Sequence, residues 1–141
     1  VAAIEMRVVD TNILFPLLVR SSFTDKVTAL HRLDPDWCTE LFALHELANI
    51  LATYERSGLL TAPDAMGCLA RAEHWLIPRA HSVLHSAALE IAIRHRVTAY
   101  DARFLLLAQN LGSRLVTEDI KLRAAAPTLT QSLDEALATP G

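Results

Sequence analysis

Two acidic residues follow short aliphatic, β-branched runs. Asp10 comes directly after Val8-Val9, and Asp119 comes just beyond Leu115-Val116-Thr117. Runs of this kind read as buried strands. In an open α/β sheet, chemistry gathers at the carboxyl ends of the strands. If both runs belong to one parallel sheet, both carboxylates leave it at the same edge. Glu46 is a third candidate, the only acid between Glu40 and Glu55 in a helical stretch rich in Leu and Ala. Asp101 is a fourth, in the first turn of a helix expected over 99–111. Converging carboxylates repel one another and hold their protons more tightly unless cations are present. Mg²⁺ and Mn²⁺ suit a set of carboxylates and waters. Such ions activate water and stabilise charge developing on a phosphodiester.

Each acid also has a plainer explanation. Glu46 alone reads as an exposed helix-edge glutamate. Thr98 and Asp101 have capping-box spacing, although Asp is shorter than the Glu or Gln that usually completes it. Asp119 can cap a helix over 120–125. Four acids at these positions are harder to explain by helix ends alone. The six histidines form no HExxH and no Cys/His finger,. His81 and His85, four apart, read as surface residues. No serine has a nucleophile-elbow setting. Arg94, Arg96, Arg103, Arg114, Lys121 and Arg123 are the cations considered for phosphate contact, with Arg103 and Lys121 nearest the acidic positions. The plain alternative for most of them is a solvated surface charge.

The elements that must place these groups alternate. Strands are expected at 7–9, 37–39, 76–77 and 115–117. A helix starts near Asn12, holding Pro16 in its first turn or else kinking. A second, capped by Thr24, covers 24–33. The strongest helix spans 42–57, with Leu44, Leu47, Ala48, Leu51 and Tyr54 on one stripe,. Others run from about Asp64 to Glu73 after Pro63, over 82–95 with Leu84 and Ile91 on its apolar side, over 99–111 ending at Gly112, and over 119–125. Residues 129–138 read as a last helix or strand. Such alternation implies an α/β fold with a parallel sheet covered by helices.

Composition sets the outer limits. The chain has 141 residues, of which 52% are hydrophobic and 21% charged. That suits one domain over 1–141 and rules out a disordered chain. Charges interrupt the apolar stretches too often for a bilayer span, and no glycine cluster builds a phosphate-binding loop. Residues 1–6 lack the basic start and apolar core of a secretory leader. Residues 1–6 and 139–141 are expected to be flexible. Cys38 and Cys68, with no CxxC, read as reduced thiols of a cytoplasmic protein. The net charge of −3 argues against a broad electrostatic grip on nucleic acid, yet two divalent cations at the acidic positions would more than offset it.

Four segments together resemble the PIN domain, and in size and spacing the VapC-type toxins of bacterial toxin–antitoxin pairs. They are Val8-Val9-Asp10-Thr11-Asn12-Ile13-Leu14, His45-Glu46-Leu47-Ala48-Asn49-Ile50-Leu51, Ala99-Tyr100-Asp101-Ala102 with the apolar 104–108, and Leu115-Val116-Thr117-Glu118-Asp119. The resemblance extends from Arg7 to about Ala126. It implies a three-layer α/β/α fold with a central parallel sheet and a Mg²⁺- or Mn²⁺-dependent endoribonuclease leaving a 5′-phosphate and a 3′-hydroxyl. It implies that Asp10, Asp101 and Asp119 hold metal, with Glu46 holding metal or orienting the attacking water. Thr11, Asn12 and Thr117 would steer these ligands or touch substrate, as would Arg103 and Lys121. Glu118 is assigned to solvent, and His45 is a candidate RNA contact. The partners implied are RNA, a cognate antitoxin and a second copy of the chain, with no membrane. Two rivals differ in class. A non-catalytic PIN-like module would bind RNA or protein without cleavage. A receiver-like phosphoacceptor would need an acidic pair after the first strand and a lysine directly after a late strand. The chain offers only Asp10 and, inside an expected helix, Lys121.

Overall fold

β-branched and aromatic side chains set the sheet. The computed structural model describes residues 6–139. The strands are β1 (Arg7–Val8), β2 (Trp37–Glu40), β3 (Ala80–His81), β4 (Leu115–Val116) and β5 (Thr130–Gln131). All pairings are parallel: Arg7 with Trp37, Thr39 with Ala80, and Leu115 with Thr130. A parallel bridge between Val9 and Val116 joins the three-stranded and two-stranded sheets. The spatial order is therefore β3-β2-β1-β4-β5. Val8, Val9, Leu115 and Val116 are fully buried at its centre, as expected where helices cover both faces of a parallel sheet.

The helices are α1 (Thr11–Leu18), α2 (Thr24–Leu33), α3 (Phe42–Arg56), α4 (Ala62–Leu76), α5 (His85–His95), α6 (Ala99–Asn110), α7 (Ile120–Ala125) and α8 (Leu133–Ala138). α6 lies on β1, β2 and β4, with α5 along it. Its Ala102 and all of Phe104 to Ala108 are buried, the mark of a helix enclosed on nearly every side. α1 meets α2 and α3, α3 packs along α4, and α2 along α8. The result is a three-layer α/β/α fold around a central parallel sheet.

Several local expectations change. Pro16 sits in the second turn of α1, not the first, so the helix lacks the amide that would meet the Asn12 carbonyl. Thr24 does not cap α2. Its hydroxyl donates to the Pro16 carbonyl at 2.7 Å, tying α2 to α1. The buried stripe of α3 is Ala43, Leu47 and Leu51, rotated from the expected one. Leu76-Ile77 is not a strand. Leu76 ends α4, Ile77 opens a 3₁₀ turn, and the strand lies at Ala80–His81. Leu84, expected on the apolar side of its helix, is 75% exposed, and α5 buries Ala88, Ile91 and Ala92. Residues 129–138 supply both a strand and a helix, the latter with a complete Ser132–Glu135 capping box. Of the ends expected to be flexible, residues 1–5 and 140–141 lie outside the described residues. Met6 packs against the core, and the Thr139 hydroxyl donates to the Glu135 carbonyl.

The sheet also holds buried charge. Glu40 is fully buried; one carboxylate oxygen accepts from Arg103 Nη2 at 3.0 Å and the other from the Phe42 amide at 2.6 Å. This pair joins β2 to α6 and fixes the start of α3. Breaking a buried pair strands the remaining charge. Arg103→Ala should therefore lower stability by about 3–5 kcal/mol in urea unfolding. Arg103→Lys should recover only part of it, because an ammonium cannot copy the planar fork. A loss below about 1 kcal/mol for Arg103→Ala, the scale of an exposed pair, would contradict this account.

Candidate active site

Asp10 leaves the sheet where its two parts meet. Its amide donates to the Val116 carbonyl at 3.0 Å, and its own carbonyl accepts from Ile13 and Leu14 as α1 begins. The extended Asp10 backbone then lets the side chain cap that helix,. Oδ1 accepts from the Thr11 amide at 2.7 Å, and Oδ2 from the Thr117 hydroxyl at 2.7 Å. Asn12 Nδ2 makes a longer approach to Oδ2 at 3.4 Å and donates to Thr117 Oγ1 at 3.1 Å.

Thr117 is the junction of this network. Its hydroxyl also accepts from the Asp119 amide at 3.1 Å. Its carbonyl accepts from Arg123 Nη1 at 2.7 Å. Asn12 Oδ1 takes the Glu118 amide at 3.1 Å, so the turn after β4 is fastened to the turn after β1. Asp119 caps α7 through Leu122. Thr11 Oγ1 donates to Glu46 at 2.7 Å, bringing α3 to the same edge. Asp101 is in the first turn of α6, where only the Thr98 half of the capping box forms.

Electrostatics ties the four acids together. Burial pushes Asp10 up to about 7; the Thr117 and Thr11 hydrogen bonds oppose this, and the charges of Glu46 and Asp101 add to it. Glu46 is also raised, first by burial, then by Asp101 and Glu40 against the opposing Thr11 bond. Asp101 is raised by burial and by the charge of Asp119. The acids thus sense one another in sequence across the edge. They do not form a closed cage: among the described residues, no three Asp, Glu, His or Cys side chains are grouped closely enough to hold an ion by themselves.

The cations are placed differently. Arg103 is already engaged. Its guanidinium is occupied by Glu40, the Val83 carbonyl and His85 Nδ1, so it is not a free phosphate anchor. Lys121 is exposed on α7, two residues beyond Asp119. Its place in a helix also leaves a receiver-like site without its lysine. Glu118 is not given over to solvent, because its carboxylate accepts from the Leu133 amide at 2.8 Å and lies 3.6 Å from Arg123. Sequence reading missed Glu40, whose partner Arg103 is 63 positions away. It also missed the anchoring role of Arg123, which is visible only once α7 folds back on β4.

The fold is thus a parallel α/β sheet with mutually coupled carboxylates along its carboxyl edge. A family model for the PIN domain matches residues 7–126. Ribonuclease VapC3 of Pyrobaculum aerophilum is 35% identical over 105 residues, covering 71% of this chain and 73% of that protein. The crystal structure of PAE2754 from the same organism matches with a TM-score of 0.69 at 22% identity, covering 94% of each chain, a likeness of fold. The chain belongs to the PIN domain family and is a VapC-type member of it.

The Asp10 environment sets a pH dependence. In the unfolded chain this carboxyl ionises near 3.8, whereas in the fold it keeps its proton until about 7. The unfolded chain therefore binds fewer protons between those values, and stability falls as pH rises through the window. The contribution of Asp10 is present in full below the lower value and is lost above the upper one. Urea unfolding in EDTA should show a fall of roughly 4 kcal/mol from this residue, read as the difference between the native chain and Asp10→Asn. Parallel pH profiles for the two proteins would refute it.

Proposed function

We propose that this chain is a metal-dependent endoribonuclease, the toxin of a type II toxin–antitoxin pair. The observation that carries the reading is the coupled set Asp10, Glu46, Asp101 and Asp119 on one sheet edge, with Asp10 buried and raised. The ribonuclease name of the VapC3 relative supports the same activity. The donor set fits Mg²⁺ or Mn²⁺. These ions need no closed protein cage; Mg²⁺ commonly takes one or two carboxylates, several waters and the substrate phosphate. Repulsion among the acids favours a divalent cation over the apo state.

Asp10, Asp101 and Asp119 would hold the cation, and Glu46 would hold it or orient the attacking water. When bound, the cation supplies a Lewis acid and an activated water for hydrolysis of an RNA phosphodiester. Thr117 and Thr11 keep Asp10 in one rotamer, and Thr11 also holds Glu46 toward the edge. Asn12 prevents the β4 turn from drifting. Lys121 is the cation placed to meet a phosphate.

The remaining roles follow from family membership and the surface. No helix among the described residues is long and apolar enough to cross a membrane. Both cysteines are free and buried, which suits the reducing cytoplasm. Exposed Leu84, Leu89 and Ile93 at and along α5 offer apolar surface for a homodimer, and the cognate antitoxin would cover the acidic edge.

Single-stranded RNA should be cut with Mg²⁺ or Mn²⁺ and left intact in EDTA. Asp10→Asn should lose on the order of 100-fold or more in rate while keeping the native circular dichroism spectrum. Cleavage by Asp10→Asn at the native rate would sink the site assignment. Thr117→Val should keep the fold and lose about 10- to 100-fold in metal affinity or activity, measured by Mn²⁺ titration and the same cleavage assay. Mg²⁺ should also raise the melting temperature more at pH 8 than at pH 6, since it binds the ionised carboxylates. Equal shifts at the two pH values would count against Asp10 as a ligand.

A further inference from the structure

Beside the acidic edge lies an open pocket of about 350 Å³, with Phe42, His45, Ser82, His85, Tyr100 and Arg103 in its lining. It opens where β2 and β3 end and α3, α5 and α6 begin, so it shares the carboxyl edge of the sheet. Its aromatic groups are ordered. The Phe42 and Tyr100 rings stack with centroids 5.0 Å apart and planes within 8°. Phe42 also stacks on His45, at 5.4 Å and 29°. Phe42 is thus the middle of a three-ring ladder, and Tyr100, 61% exposed, is an outer rung. Large exposed aromatics are costly to leave in water without a partner, and a stacked ring offers a flat face of fixed orientation.

The pocket wall is braced by polar groups that engage one another. Arg103 is held at its wall by Glu40 and the Val83 carbonyl, with Nη1 3.1 Å from His85 Nδ1. His45 and Tyr100 immediately precede Glu46 and Asp101 in the chain. The rings and the acids are therefore neighbouring positions on the same two helices. A group stacked here would lie next to a phosphate at the acidic edge.

We propose that this pocket receives one unpaired nucleobase of the RNA substrate, stacked on Tyr100 and flanking the bond to be cut. The inference rests on the nuclease reading for its ligand class. Bases in a duplex are stacked on each other and cannot enter, so the pocket selects single-stranded or looped RNA. Stacking on an aromatic face tolerates every base, so the pocket would favour unpaired structure more than a particular sequence.

The test uses a short single-stranded RNA carrying one 2-aminopurine, whose fluorescence is quenched by stacking. Binding is measured on the full chain as Asp10→Asn with Mg²⁺, and cleavage separately on the chain with native Asp10. Quenching on binding is expected. Adding Tyr100→Ala should abolish the quench and weaken binding about tenfold, whereas Tyr100→Trp should preserve both. In the cleavage assay Tyr100→Ala should raise KM by a similar factor with kcat within about twofold. Tyr100→Leu, which keeps apolar volume but has no ring face, serves if the alanine variant fails to fold. Quenching without metal-dependent cleavage by the native chain would leave the base pocket standing and overturn the nuclease reading. Cleavage with no quench, or with KM unchanged in both Tyr100→Ala and Tyr100→Leu, would overturn the pocket and leave the nuclease reading intact. The same result is expected if the rings instead seat a protein side chain.

Discussion

A carboxylate held at the seam of the sheet is the constraint around which this molecule is arranged. Asp10 stands where β1 meets β4, and its amide supplies part of the seam through the Val116 carbonyl. Its side chain starts α1 and is gripped by Thr117 from the other half of the sheet. An ionised carboxylate so deeply placed is costly unless its oxygens are met by donors. Here two strong donors meet it, and the remaining cost appears as a proton retained to about 7. Structure and chemical capability depend on the same few bonds.

The other acids share this double use. Asp119 caps α7, and Asp101 is in the first turn of α6. Helix N-termini carry partial positive charge and favour nearby acids. The fold thereby offsets part of the repulsion that gathering carboxylates creates. Helix ends do not neutralise the acids fully: Glu46 and Asp101 are raised first by burial and then by neighbouring carboxylates. Arg103 does not relieve this repulsion, because Glu40 engages its guanidinium in a buried pair.

Much of this was legible from residue order, and the failures have physical causes. Val8-Val9 and Leu115-Val116 are central, fully buried strands, so their apolar pattern is strong and the acids after them stood out. Ala80–His81 lies at a sheet edge, where one side need not be apolar. The adjacent Leu76-Ile77 carried the stronger signal and drew the expected strand to the wrong place. Long-range pairing was hidden altogether. Nothing local distinguishes Arg103 as the partner of Glu40, or Glu118 as the acceptor for Leu133. Both look like free surface charges until the chain closes. Strand and helix positions singled out the four acids, but not the ring ladder of His45, Phe42 and Tyr100, which needs α3 and α6 side by side.

The strand order has a consequence for synthesis. Asp10 leaves the ribosome well before the hydroxyl that holds it, which belongs to Thr117, 107 positions later. The turn carrying Thr117 is itself fastened to α8 through Glu118 and Leu133. A growing chain therefore carries Asp10 without the strand that orients it until those later residues are made. The acidic edge is therefore assembled only once β4 and the turn after it have been made and have closed on β1.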